Sequence, residues 1–166
     1  MKRLFLLPAL MLGLSFACDQ PYEEVAGIKI GCPLEDNGDF KEMVVIEATN
    51  STLYQKERTG IFNVIYVTTI DGIVESAIFG VNNGAAVDKE IAQDLFLSLE
   101  NRWGKFEKLS ESEYTVIPNS AVLGRIDYTY VPGEVVLVYD SKILLKRKND
   151  VLKEKQERLD KEISQF

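Results

Sequence analysis

The side chains that could carry chemistry in this 166-residue chain are two cysteines and a set of carboxylates, because the chain has no histidine. Without imidazole it cannot build a serine–histidine–aspartate triad, a cysteine–histidine pair or an HExxH zinc site. Two carboxylates could still act as acid and base on a sugar. The carboxylates near predicted strands are Asp71, Glu75, Asp127, Glu134 and Asp140. Their spacing distinguishes no pair, so we predict no enzyme, no catalytic residue, no cofactor and no metal site.

The first 17 residues have the pattern of a signal peptide. Lys2 and Arg3 precede an apolar run at residues 4–16, which is too short to span a bilayer as a mature helix. Ser15-Phe16-Ala17 is an A-x-A-like cleavage site. The sequence therefore predicts export and a mature chain of about 149 residues, enough for one domain with a hydrophobic core.

Cleavage after Ala17 would make Cys18 the first mature residue, and two fates are open for it. The first is a disulfide with Cys32, the default for two cysteines in an exported chain. Closing that loop would contribute about 3 kcal/mol to stability. The second is lipidation, because residues 14–18 (LSFAC) resemble the lipobox of bacterial lipoproteins, with Ser15 in place of the usual leucine. We predict the disulfide, with a lipid anchor on Cys18 as the alternative.

The charge is uneven along the chain. Residues 18–140 carry 9 Lys and Arg against 21 Asp and Glu, a net charge of −12, whereas residues 141–166 carry 8 against 5. An acidic body argues against nucleic acid as a partner and against direct adhesion to anionic lipid. Contact with a membrane is therefore expected only if Cys18 is lipidated.

Two extended runs and a helix at residues 61–103 form the predicted centre of the fold. Asp71-Gly72 joins two β-branched runs, which is the strongest short-range signal for a hairpin. Asp88 is the predicted N-cap and Gly104 the predicted C-cap of an amphipathic helix at about residues 88–103. Since such a helix must cover an apolar surface, we expect it to pack on the sheet. Its predicted apolar stripe comprises Ile91, Ala92, Leu95, Phe96, Leu99 and Trp103.

Residues 123–131 and 135–139 predict a second hairpin, with Gly124 at a bulge. Residues 43–48 and 53–57 predict shorter strands, and residues 105–113 predict a charged loop. Together these elements predict an α+β domain at residues 18–145, in which an antiparallel sheet of about 6–7 strands is packed by one helix. Residues 146–166 are predicted to form a charged helical tail. Its apolar residues recur every seven positions, from Leu145 to Phe166, so it is either solvated or a partner-binding surface.

Four segments carry a family resemblance: residues 27–32 (GIKIGC), 71–76 (DGIVES), 103–105 (WGK) and 139–142 (YDSK). Together they resemble small exported α/β proteins of proteobacterial envelopes. The first segment also resembles the start of BamE-like lipoproteins of outer-membrane assembly. The resemblance implies an envelope protein and carries no assigned activity with it.

We therefore expect a periplasmic or secreted protein that acts by contact with another protein, through its sheet face or its tail. One alternative is a lipid-anchored accessory of envelope assembly. Another is an inhibitor or immunity-type protein, whose acidic body would face a basic envelope enzyme. The sequence identifies neither the partner nor the oligomeric state.

Overall fold

A computed structural model gives the structure of the protein and describes residues 18–80 and 87–164. The signal peptide predicted at residues 1–17, the strand end predicted at residues 82–84 and the apolar residue Phe166 lie outside the described residues. Within those residues, no helix has the length and apolar composition needed to cross a membrane.

The fold is α+β, as predicted, and all strand pairs are antiparallel. Two short strands form a separate hairpin, and the larger sheet has eight strands in the order β3-β4-β5-β6-β10-β9-β8-β7. The predicted number was 6–7. The prediction missed β7, which lies in a charged segment predicted to be a loop. The strands are β1 (Glu23–Val25), β2 (Ile28–Ile30), β3 (Lys41–Ile46), β4 (Ser51–Glu57), β5 (Val64–Ile70), β6 (Ile73–Gly80), β7 (Glu107–Lys108), β8 (Glu113–Val116), β9 (Leu123–Val131) and β10 (Glu134–Ser141), and the helices are α1 (Lys89–Trp103) and α2 (Lys142–Ile163).

The predicted hairpin at Asp71-Gly72 is confirmed. Both turn residues have positive φ, 51° at Asp71 and 79° at Gly72, and Ile70 pairs directly with Ile73. That backbone twist matches the twist of the flanking strands, which is why short hairpins favour it. The turn places β5 and β6 at the centre of the sheet, between β4 and β10.

One face of the sheet carries the main core, covered by α1 and the β1–β2 hairpin. Val67, Ala77 and Tyr139 lie side by side on this face and are buried. The caps of α1 form as predicted, since Asp88 Oδ1 accepts from the Ile91 N–H at 2.8 Å and the Gly104 N–H donates to Glu100 O.

The buried stripe of α1 is narrower than predicted. Ala92 and Leu99 are buried, and Leu95, Phe96 and Trp103 pack against the core. Ile91 is 39% exposed, so its predicted place in the stripe was wrong. The sheet contacts the side of the helix that carries Ala92 and Phe96, and Ile91 lies at the edge of that contact.

Helix α2 packs on the opposite face of the sheet through its first two turns. Leu144 is buried, and Ser141 Oγ caps the helix by accepting from the Leu144 N–H at 3.1 Å. Gly124 forms the predicted bulge, because Leu123 pairs with Ser141 and Arg125 with Asp140. A Cβ at Gly124 would lie 2.7 Å from Leu145 Cδ1 and 3.2 Å from Lys142 Cα, so a side chain there would require Leu145 and the start of α2 to shift. Glycine at the bulge therefore permits the close approach of the helix.

The distal half of α2 is exposed, from Leu152 to Ile163. Before that half, Arg147 Nη1 donates to Thr49 O at 3.3 Å and Lys148 Nζ lies 3.0 Å from Asp140 Oδ2. The helix thus runs unbroken through the domain boundary predicted between residues 145 and 146, with contacts to the sheet on both sides of it.

We expect two truncations on either side of these contacts to differ in stability. Deleting residues 150–166 should leave the melting temperature nearly unchanged, because the described residues that it removes are exposed apart from the half-buried Val151. Deleting residues 146–166 should cost about 1–3 kcal/mol, because it also removes Lys148 from a buried carboxylate. Thermal unfolding followed by circular dichroism measures both. Equal melting temperatures would show that the contacts of residues 146–149 contribute nothing.

Candidate functional site

The disulfide predicted between Cys18 and Cys32 is present, with the two Cα atoms 5.5 Å apart. Cys32 is fully buried, and neither cysteine is free. The backbone around Cys32 is held on β6, because the Gly31 N–H donates to Val74 O at 2.8 Å and the Val74 N–H donates to Cys32 O at 2.9 Å. The disulfide therefore fixes the start of the described chain beside the first residues of β6.

Two of the segments singled out in the sequence, residues 71–76 and 139–142, meet at this end of the sheet. Asp140 on β10 pairs with Ser76 on β6, and the Ser76 hydroxyl donates to Asp140 Oδ1 at 2.7 Å. The Ser141 hydroxyl donates to Glu75 Oε2. Glu75 is the extra residue of a bulge, since Ser76 pairs with Thr68 and Val74 with Thr69. We call these four residues, Glu75, Ser76, Asp140 and Ser141, the polar cluster.

Asp140 is only 1% exposed, and two cations compensate its charge. Arg125 Nη2 lies 3.2 Å from Asp140 Oδ2, and Lys148 Nζ lies 3.0 Å from the same oxygen. Arg125 also approaches Asp127, with 3.0 Å between Nε and Oδ2. Because these charges are paired and hydrogen-bonded, the cost of burying Asp140 is offset.

Glu75 is equally buried, at 3% exposure, but its surroundings differ. Among the described residues it makes no ion pair, and its one hydrogen bond comes from Ser141. Burial raises the pKa of Glu75 above its ordinary value, and the Ser141 hydrogen bond offsets part of that shift.

A cavity of about 390 Å³ opens beside Glu75 at the N-terminus of α2. Its walls come from the N-terminal segment held by the disulfide, from the β5–β6 turn and from the start of α2. The lining residues are Gln20, Pro21, Gly31, Ile70, Asp71, Ile73, Glu75, Ala121, Val122, Ser141, Lys142 and Ile143.

The structure brings together some of the carboxylates considered in the sequence and separates others. Glu75 and Asp71 line one cavity, while Asp140 and Asp127 share Arg125. Glu134 is exposed at the turn between β9 and β10, away from this cluster. No pair stands out as an acid and a base flanking a common substrate position within the described chain.

The tyrosines on β9 and β10 serve mainly as packing. Tyr128 and Tyr139 are buried, and the Tyr128 hydroxyl donates to Ala92 O at 2.9 Å. Burial raises the pKa of both phenols to about 12. Tyr128 and Tyr130 also line a smaller cavity of about 220 Å³ between α1 and β8. Its walls are chiefly aromatic and aliphatic.

The sequence analysis missed a run of four consecutive exposed apolar residues on strand β3. Strand β3 was predicted, but not as an edge strand. Met43, Val44, Val45 and Ile46 are 49%, 51%, 54% and 37% exposed, and among the described strands β3 pairs only with β4. No local signal in the sequence indicated this exposure, because four consecutive apolar residues after Lys41 and Glu42 are typical of a strand buried on both faces.

Comparisons with known proteins assign no family to the chain, because no family model, no curated protein and no solved structure matches it. The function has to be inferred from the geometry of the cluster, the cavity and the exposed edge.

Neutralising each of the two buried carboxylates should change the free energy of unfolding in opposite directions. Asp140→Asn should lower stability by about 2–3 kcal/mol at neutral pH, because Arg125 and Lys148 lose their charged partner.

Glu75→Gln should instead be more stable than the wild type at high pH. A raised folded-state pKa means that the wild type loses stability as the pH rises through that pKa, and glutamine does not ionise.

Urea unfolding as a function of pH measures both effects. The gain from Glu75→Gln should vanish below the ordinary glutamate pKa of 4.5, where Glu75 is protonated in both states. A gain that does not depend on pH would contradict the assignment of the effect to ionisation of Glu75.

Proposed function

We propose that this is an exported, non-enzymatic protein that works by binding another protein through strand β3. The observation that carries the proposal is the run of four exposed apolar residues on an edge strand, Met43 to Ile46. An exposed edge presents unpaired backbone N–H and C=O groups, and another chain can add a strand there.

The two edges of the large sheet support this interpretation because they differ. The opposite edge, β7, consists of Glu107 and Lys108, which makes it short and charged. Such features block edge-to-edge pairing. Strand β3 is six residues long and apolar over its last four. A sheet with one blocked edge and one open edge favours a specific contact at the open one.

The charge of the protein favours a basic partner. Residues 18–140 carry a net charge of −12, and Glu42 and Glu47 lie at either end of the apolar run of β3. Opposite charge on the partner would speed association and exclude acidic competitors. This supports, as a second candidate, an inhibitor or immunity-type role against a basic envelope enzyme.

Export is part of the same proposal and is supported by the disulfide. Disulfides persist in oxidising compartments and are rare in the cytosol. The Cys18 sulfur is bonded to the Cys32 sulfur, so it cannot also carry a thioether-linked lipid. The disulfide and a lipid anchor on Cys18 therefore exclude each other. We therefore favour a periplasmic or secreted protein without an anchor over a lipoprotein of envelope assembly.

Intact-mass spectrometry of the mature protein tests export and the state of Cys18. We expect a chain that begins at Cys18, carries no acyl group and loses one disulfide on reduction. A diacylglycerol adduct on Cys18 would show the lipoprotein alternative to be correct. A full-length chain with reduced thiols in the cytosol would contradict export.

A substitution on β3 tests the binding surface. Val45→Lys should reduce capture of the partner from envelope extract by about tenfold or more, because a lysine on the edge blocks strand addition. Its stability should change by less than about 0.5 kcal/mol, since Val45 is 54% exposed. The matched control is Ile117→Lys, at a site that is 81% exposed and outside the strands.

Quantitative mass spectrometry of the captured proteins, at low and high salt, gives the result. A basic partner should be captured by the wild type and by Ile117→Lys, lost with Val45→Lys, and weakened by salt. If both variants capture the same proteins as the wild type, β3 is not the binding surface.

A further inference from the structure

The polar cluster contains two buried carboxylates with unequal compensation. Asp140 has two cations within 3.2 Å, whereas Glu75 has none among the described residues. A buried carboxylate normally acquires a paired cation or additional hydrogen-bond donors. Within the described chain Glu75 has the Ser141 hydroxyl and the N-terminus of α2 beside it, but no cation pairs with it.

The lysine that lines this cavity does not pair with Glu75. Lys142 lines the same cavity as Glu75, but its Nζ donates to Ser120 O at 2.5 Å. The two other cations at the polar cluster, Arg125 and Lys148, form ion pairs with Asp140. Among the described residues, no cation is therefore placed to pair with Glu75 when it is ionised.

The cavity beside Glu75 has the size and walls for an organic cation. Its volume of about 390 Å³ lies within the range of roughly 300–1,000 Å³ typical of ligand sites. Most of its lining is apolar, including Ile70, Ile73 and Val122, and a second carboxylate, Asp71, lies on the exposed β5–β6 turn. Apolar walls suit methylene groups, while the buried carboxylate suits an ammonium head.

We propose that this cavity binds a primary alkylammonium group, with Glu75 as its ion-pair partner and Ser141 positioning the carboxylate. The apolar lining favours an alkyl chain over a bare metal ion, which needs several oxygen ligands. The site is distinct from strand β3, so it would exist whether or not β3 binds a partner.

The N-terminal segment is part of the site. Gln20 and Pro21 form one wall, and the disulfide at Cys18 holds them there. A Cβ at Gly31 would lie 2.8 Å from Pro21 O, so this wall packs closely on β2. The disulfide therefore helps to hold this wall, together with the pairing of Glu23 with Ile30 between β1 and β2, and reduction should weaken binding.

Titration of the oxidised mature protein with n-butylammonium chloride, followed by nuclear magnetic resonance, tests the proposal. At a pH above the raised pKa of Glu75, found first by following its side-chain carboxyl ¹³C shift against pH, that shift should move saturably as n-butylammonium is added. Butan-1-ol, which has the same chain without the charge, should bind at least about tenfold more weakly. Sodium chloride at equal concentration controls for ionic strength.

Two variants separate this site from general attraction to an acidic protein. Glu75→Gln should weaken binding of n-butylammonium by about tenfold or more, while Glu134→Gln, which removes one exposed carboxylate elsewhere, should bind like the wild type. Equal loss in both variants, or saturation by butan-1-ol at the same concentration, would overturn the proposal. If Glu75→Gln does not fold, the wild-type Glu75 carboxyl shift still decides, because an unchanged shift excludes an ion pair there.

Discussion

The structure depends on the pairing of β6 with β10, which places acidic and hydroxyl residues opposite one another at the centre of an apolar sheet. Each of the two strands contributes an acidic residue followed by a serine, Glu75-Ser76 and Asp140-Ser141. Carboxylates in such a position are costly unless charge and hydrogen bonds compensate them. Much of the surrounding architecture provides that compensation.

Helix α2 is the main compensating element. Its N-cap is Ser141, whose hydroxyl accepts from the Leu144 N–H and donates to Glu75. Two turns later the helix brings Lys148 to Asp140. The bulge at Gly124 lets the helix approach closely enough for these contacts. A negative group near a helix N-terminus is also favoured by the helix dipole. The position of α2 is thus determined by polar contacts, with Leu144 as its one fully buried apolar anchor.

Local signals in the sequence predicted most of the elements, because caps, turns and β-branched runs act over a few residues. The Asp71-Gly72 turn, the Asp88 cap and the Gly104 cap were all readable in this way. The contacts of Ser76 with Asp140 and of Ser141 with Glu75 were not, since they depend on which strands become neighbours across more than sixty residues. Arg125 and Lys148 lie only 15 and 8 residues from Asp140, but their contacts with it depend on the bulge at Gly124 and on where α2 packs. The exposure of β3 was missed because an edge strand and a buried strand of similar composition have the same local pattern.

Charge decides what can occupy the open edge at β3. Two copies meeting there would bring together two bodies that each carry a net charge of −12 at residues 18–140, with Glu42 and Glu47 close to the contact. At physiological salt such charges are screened only beyond about 8 Å, so groups in direct contact would still repel. An apolar edge would otherwise be open to self-pairing and aggregation. The acidic body therefore opposes association with itself and leaves the edge available to a strand of opposite charge, which is the physical reason to expect a different protein as the partner.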